Sequence, residues 1–481
     1  MRKVISILLI AVLLLGLCAC GASAGEGGAA AETTAAAATG GSFRVGYGKQ
    51  DITPEGQVGM GGYGRSDLRL SKGVLSYLYA TCIAITDADD NTLLIYGLDL
   101  LGVGTAMDYA RDISLATGVP EDHIVFSASH THSAPAYGEQ TSGSADALAK
   151  LKAGLVKSAQ IAMEDRKAAK MYGGSIETEG MNFVRHYVMN DGTYAGDNFG
   201  SKDSGYARHA TDADSQLQLI KFVREGDNDI YLTNFQCHPH QTGGSKKYDI
   251  SADVVGEYRI AMENQLGCEV LYLSGASGNV NSHSRIKEEQ ATADWKEWGL
   301  KLAEYAQQVE FTELKTGKVQ VAYSNFRADI NHADDGIADI CKNLRKQWDK
   351  NEITETQLID IAWSQYGIKL NSASQAGAIA ERAQMPTSRE FTISAFSFGD
   401  VGLAAFPGEQ FDTNGKFIKD NSPFAMTIVA TKGNGENGYF PSEIAFGYGS
   451  YEVDTTKFVC GTAERLADRF VELLQEQFNN R

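Results

Sequence analysis

The residue pattern predicts an α/β or α+β fold: one large domain, a mixed sheet with flanking helices, and a metal site at strand ends. Three observations carry this. Short apolar runs rich in β-branched and aromatic residues recur between turn signals. They alternate with longer segments whose apolar residues repeat every three or four positions. Two His-x-His pairs each lie just beyond one of the strand candidates.

The strand candidates are Phe43 to Gly48, Leu93 to Leu98, Ile124 to Ser127, Ile230 to Phe235, Val270 to Leu273, Phe391 to Phe398 and Val401 to Phe406. Helices are expected over Ser144 to Arg166, Asp253 to Gln265, Ala291 to Glu310, Ile337 to Lys350 and Ala463 to Phe478. The last, with Leu466, Phe470, Leu473 and Leu474, reads as an amphipathic helix packed onto the domain. Residues Ala333 to Arg389 look polar and largely helical, able either to cover a site or to decorate the surface. Strands alternating with helices imply helices laid on a sheet. With 43% hydrophobic residues in 481, a sizeable core is available.

The N-terminus reads as an export signal. Arg2 and Lys3 precede an apolar run from Ile5 to Leu17, too short for a comfortable membrane span and followed by small residues. The run ends Leu17-Cys18-Ala19-Cys20-Gly21, which resembles a bacterial lipoprotein cleavage site with Cys20 as the lipidated residue. Residues 1–19 are thus expected to be a signal peptide, with ordinary cleavage near Ala22-Ser23-Ala24 as the alternative. Residues 20–42 are expected to be a flexible Ala/Gly/Thr tether, since such residues bury no core. The folded domain spans 43–481. A lipid at Cys20 would hold it at a membrane surface, on the outside of the bacterial cell, without a spanning helix. The net charge of −18 excludes a broad basic face for nucleic acid, and no feature implies a protein partner. The cysteines beyond the leader, Cys82, Cys237, Cys268, Cys341 and Cys460, form no close pair, so neither a disulfide framework nor a cysteine zinc site is indicated.

Four of only nine histidines make up the pairs His130/His132 and His238/His240. In extended chain, residues i and i+2 point to one side, so both rings of a pair can face one cavity. Imidazole is a good zinc ligand, and a Glu is a sensible third beside two His; Glu409 follows the strand that ends in Pro407-Gly408. Asp99 and the Gly-rich stretch Ser274 to Asn279 also follow strands and could converge on the same place. Ser133 and Ser277 would permit a serine hydrolase, but no Gly-x-Ser-x-Gly elbow surrounds Ser277.

Several segments together resemble the neutral/alkaline (non-lysosomal) ceramidase family. They are Val45-Gly46-Tyr47-Gly48-Lys49-Gln50-Asp51-Ile52-Thr53-Pro54, Met60-Gly61-Gly62-Tyr63, Ser129-His130-Thr131-His132-Ser133-Ala134-Pro135 and Asn182-Phe183-Val184-Arg185. His238-Pro239, Gly275 to Asn281, Pro407-Gly408-Glu409, Gly438-Tyr439 and Tyr451-Glu452 follow in order. The resemblance implies one zinc ion held by His130, His238, Glu409 and Tyr439. It places His132 beside the metal to assist proton transfer, Arg185 on a substrate oxygen, and Tyr451 along the site, and it gives His240 no role. It implies cleavage of a lipid amide to a fatty acid and sphingosine, the metal activating water and polarising the carbonyl. Two departures stand out. Ceramidases of this family carry Gly-Asp-x-Ser-Pro-Asn, whose Ser matters for catalysis; here Gly278-Asn279-Val280-Asn281-Ser282-His283 puts Asn281 at that position. The chain also stops after its last helix, where full-length ceramidases carry a further β-domain. The expected activity is therefore that of a zinc-dependent amidohydrolase on a lipid amide or related acyl compound. The alternatives are an esterase of the same fold and a non-catalytic, surface-tethered metal- or ligand-binding protein.

Overall fold

A computed structural model describes residues 43–63, 66–137, 143–244 and 246–481; the expected signal peptide, Cys20 and the tether lie outside them. Nine strands form one mixed sheet. From one edge to the other run Glu269–Ser274, Ile230–Phe235, Gln216–Arg224, Lys167–Glu177, Phe43–Asp51, Tyr79–Thr86, Thr92–Leu98 and Ile124–Ala128, with Thr312–Leu314 pairing off Lys167–Glu177. The pairs at the two edges are parallel and those between are antiparallel. A second sheet of four strands runs Val319–Asp329, Ser388–Phe398, Val401–Ala405, Met426–Ala430, its last pair parallel.

Side chains alternate across a strand, and here the alternation sorts them into layers. Val45, Ile83, Ile85 and Ile95 of the large sheet meet Phe396, Phe398, Val401 and Leu403 of the small one in a shared core. Their neighbours Cys82, Ala84, Leu94 and Tyr96 face the other way, onto helix Ser144–Glu164. That helix buries Ala147, Leu151, Leu155, Ala159 and Ala162, one stripe at three- and four-residue spacing. The approach is close: a Cβ at Gly48 would lie 2.0 Å from the Ser158 carbonyl oxygen, so only glycine admits the helix there. Helices Asp253–Leu266 and Trp295–Gln307 cover the other end of the same sheet face. On the small sheet, helix Thr462–Asn479 buries Leu466, Phe470, Leu473 and Leu474, with Phe470 stacked on Phe406 at 5.5 Å. The result is two sheets face to face with helices on both outer sides.

The expected strands are all present, and so are the helices. One begins later than its periodicity suggests. Helix Trp295–Gln307 starts after Ala291 because Asp294 caps it, its carboxylate accepting from the Lys296 and Glu297 backbone N–H groups. The segment from Ala333 to Arg389 holds helices Asp335–Asp349, Glu355–Tyr366 and Ala373–Arg382, which build a small core of their own. It docks through Asp454, which accepts from Asn371 Nδ2 (3.0 Å) and Gln375 Nε2 (2.8 Å), while Arg382 donates to the Asp454 and Thr456 carbonyls. No helix of the described residues is long and apolar enough to cross a membrane.

Candidate metal centre

Three parallel strand pairs end at the site. Leu98 and Ala128 are register partners, as are Phe235 and Ser274, and Ala405 and Ala430. The chain beyond Ala128 supplies His130, that beyond Phe235 supplies His238, and those beyond Ala405 and Ala430 supply Glu409 and Lys432. Carboxyl ends of parallel strands are where α/β folds leave room for ligands. Glu409 and Tyr439 then pair in register in a short two-stranded ladder.

The two imidazoles are oriented by backbone carbonyls. His130 Nδ1 lies 2.6 Å from the Leu101 carbonyl oxygen, and His238 Nδ1 3.2 Å from that of Val280. A carbonyl only accepts, so each Nδ1 carries the proton, and in the neutral ring each Nε2 presents a lone pair. This is the outer-shell arrangement of metal-bound histidines. Both lone pairs face one carboxylate oxygen: Glu409 Oε2 is 3.2 Å from His130 Nε2 and 3.4 Å from His238 Nε2. None of these contacts can be a hydrogen bond while both rings are neutral, and Glu409 Oε2 and His238 Nε2 are buried without a hydrogen-bond partner. The other oxygen, Oε1, is held by Lys432 at 3.1 Å. Two neutral nitrogens and one anionic oxygen converging with no proton among them fit a divalent cation, and the donor set is one zinc favours. Leaving such groups open inside a protein costs about 1–3 kcal/mol each.

For His238 the electrostatics favour the neutral ring. Burial, then the Arg185 charge, pushes the His238 imidazole down to about 4. Burial, above all, holds His132 well below its ordinary range. Burial would raise the Glu409 carboxyl, but it is held well below its ordinary range, with the Lys432 ammonium the largest opposing influence. His130 and Lys432 both adopt positive φ, 66° and 49°. Non-glycine residues rarely do so, and such strain gathers at functional sites.

His132 joins this cluster: its Nε2 is 3.4 Å from His130 Nε2, and the ligand atoms of His130, His132 and His238 all lie within 4.8 Å of one another. Its ring is wedged against Tyr63 at 5.0 Å. Gly62 makes room for it; with φ of +98°, a Cβ there would meet His132 Cγ at 2.7 Å. Arg185 donates through Nε to Glu452 Oε1 (2.7 Å) and through Nη2 to the Gly278 carbonyl (2.7 Å), and Nη2 also reaches the Tyr439 hydroxyl at 3.3 Å. Burial and Glu409 push the Tyr439 phenol up, with Arg185 opposing. Tyr451 packs edge-on to Tyr439 at 6.0 Å. Asn281 lies beside His238 through a backbone bridge, and its Nδ2 donates to Asp197 Oδ2 at 2.8 Å. A cavity of about 370 Å³, lined by Gly62, Leu101, Pro135, Tyr137 and Lys432, opens alongside.

The structure therefore gathers His130, His132, His238, Glu409, Tyr439, Arg185, Tyr451 and Asn281 in one region. It does not bring Asp99 there. Asp99 is buried in a bidentate pair with Arg259. Nor are the serines armed. Ser133 Oγ pairs with Thr242 Oγ1 at 3.0 Å, and among the described residues neither Ser133 nor Ser277 hydrogen-bonds an imidazole. Sequence reasoning missed Lys432, His186 and the part played by Glu452. Only Glu452 left a signal, as the neighbour of Tyr451.

Residues 43–286, more than half of the chain, match the family model of the N-terminal region of neutral/alkaline non-lysosomal ceramidases. Two solved structures share the fold. A ceramidase complexed with C2 is 17% identical, with a TM-score of 0.68 over 92% of this chain and 76% of that one. The neutral ceramidase from Pseudomonas aeruginosa is also 17% identical, with a TM-score of 0.66 over 90% and 74%.

Proposed function

This chain belongs to the neutral/alkaline non-lysosomal ceramidase family, and from that premise we propose that it is an exported, zinc-dependent hydrolase cleaving the amide bond of an N-acyl lipid. The observation that carries the reading is the pair of carbonyl-oriented imidazoles, His130 and His238, whose Nε2 atoms face the orphaned Oε2 of Glu409. Those three side chains, with Tyr439, would hold the ion. When bound, zinc supplies Lewis acidity, which polarises the amide carbonyl and makes water a nucleophile near neutral pH.

The chain's own groups do the rest. Arg185 is held by Glu452 with Nη2 toward the Tyr439 hydroxyl, so its charge and that hydroxyl stabilise the oxyanion formed at the carbonyl. His132 Nε2 stands within reach to take the proton of the attacking water and pass it to the leaving nitrogen. The C–O bond forms, the C–N bond breaks, and the amine leaves protonated. Asn281 has no hydroxyl and commits its Nδ2 to Asp197, so water is the only nucleophile required. The cavity beside Leu101 and Tyr137 leaves room for part of the substrate.

The test is zinc analysis of the purified protein coupled to turnover of a short-chain fluorescent ceramide and an acyl-amide panel. His130→Ala should remove one equivalent of zinc and abolish turnover. Protein that holds no zinc and hydrolyses these amides unchanged after His130→Ala would overturn the reading; zinc without turnover of any amide or ester would leave a binding protein. Attachment to the cell surface through Cys20 is part of the proposal. It is supported by the Leu17-Cys18-Ala19-Cys20-Gly21 run and is tested by metabolic labelling with a radioactive fatty acid, which Cys20→Ala should abolish.

A further inference from the structure

Beside the His130 cluster lies a second set of convergent donors that the proposed chemistry leaves unused. Asp197, His240 and His283 bring their ligand atoms within 4.8 Å of one another. They arrive on three separate segments: Asp197 follows strand Tyr194–Gly196, His240 lies two residues past His238, and His283 two past Asn281. The His240 and His283 rings face each other at 4.9 Å and 37°. Neither imidazole hydrogen-bonds any described residue, and Nδ1 of each is buried without a partner.

Ordinary interior histidines do not look like this. A buried ring nitrogen with nothing to bond costs about 1–3 kcal/mol, and two rings of one cluster each repeat that cost. Asp197, by contrast, is firmly placed. Its Oδ2 accepts from Asn281 Nδ2 and its Oδ1 from Arg285 Nε, both at 2.8 Å. A carboxylate has about four lone-pair sites, so both oxygens keep capacity for an ion. Asn281 is 1% exposed, and its own Oδ1 is buried without a partner.

We propose that Asp197, His240 and His283 bind a second divalent cation, with Asn281 as the residue that positions Asp197. Two imidazole nitrogens and one carboxylate oxygen select a borderline transition ion such as zinc or cobalt over magnesium or calcium, which prefer oxygen ligands. The site adjoins the first: the His240 ring is 5.8 Å from that of His132 and 5.9 Å from that of His238. His132 and His238 would then both adjoin the second cation, and the Asn that stands in place of the family's Ser would belong to the metal-binding apparatus.

The experiment is equilibrium dialysis of the purified chain against micromolar zinc, followed by elemental analysis, with cobalt spectra as a second readout. The wild type should hold two equivalents. His240→Gln/His283→Gln should lose one and keep the equivalent that His130→Ala removes, and its cobalt absorption should retain only the His130-dependent component. Retention of that other equivalent also shows that the variant is folded; if the double variant loses both, His283→Gln with an unchanged melting temperature is judged by the same count. A metal count and cobalt spectrum unchanged by these substitutions overturn the second site. Failure of the hydrolase reading looks different, because it appears as absence of the His130-dependent equivalent or of turnover, with the equivalent that depends on His240 and His283 unaffected.

Discussion

Two clusters of buried polar side chains lie side by side, and they are built on opposite principles. In the first, Tyr448, His186, Glu452 and Arg185 form a closed chain. His186 Nε2 donates to Glu452 Oε2 (2.8 Å), which leaves Nδ1 to accept from the Tyr448 hydroxyl (2.9 Å), while Arg185 donates to Glu452 Oε1 and to the Gly278 carbonyl. In the second, the outward atoms of His130, His238 and Glu409 are tied down, while His238 Nε2 and Glu409 Oε2 stay open. Composition and burial are alike. What differs is satisfaction: a network whose partners are all present holds shape, whereas one whose lone pairs converge on nothing is shaped for something else.

The contrast is broken most directly at the open cluster. Glu409→Gln removes the anionic donor, and activity should fall on the order of a thousand-fold or more, the several kcal/mol that metal catalysis supplies, with loss of bound zinc in the same sample. The closed cluster should answer in stability first. Glu452→Ala leaves the Arg185 guanidinium buried and uncompensated, and urea unfolding should show a loss of about 3–5 kcal/mol. His132→Gln separates the two kinds of effect. It should keep the metal and the fold but lower kcat by about a hundred-fold, the scale of a lost general acid–base group.

The smallest effect is a pH slope. Burial pushes the Asp454 carboxyl up to about 6; the Asn371 hydrogen bond works against this and the Glu452 charge with it. A carboxyl whose folded value is raised binds its proton more tightly in the folded state. Its stabilising contribution is therefore full below the unfolded value near 4 and is lost as pH rises through about 6. Unfolding free energy should fall by about 3 kcal/mol across that window in a component that Asp454→Asn removes. A slope unchanged in the variant would show that the three-helix segment docks on an ionised Asp454.

Much of the fold was legible because it is written locally. Leu466, Phe470 and Leu473 announce a helix face whatever surrounds them, and the apolar runs at Ile230 and Val401 read as strands by residue type alone. The late start of helix Trp295–Gln307 was harder to place, since Asp294 competes with a periodic pattern that extends past it. Lys432 gave no sign at all. Its role comes from a parallel pairing of Val401–Ala405 with Met426–Ala430, and from a backbone turn at positive φ, neither of which a lysine in a Thr-Lys-Gly stretch reveals.

By itself the sequence determined the alternation of strands and helices, the two histidine pairs at strand ends and the ordered family motifs. Each of these depends on neighbours within a few residues or on fixed spacing. Only the tertiary structure decided how the pairs divide. His130 and His238 turn their Nε2 atoms to Glu409 because the Leu101 and Val280 carbonyls hold their Nδ1 protons. His132 packs beside them under Tyr63, and His240 turns away toward Asp197 and His283. A ligand set is a statement about which lone pairs share one point in space. Residues more than 300 positions apart in the chain, such as Phe126 and Asn434 beside this site, meet only when three parallel strand pairs end at the same edge.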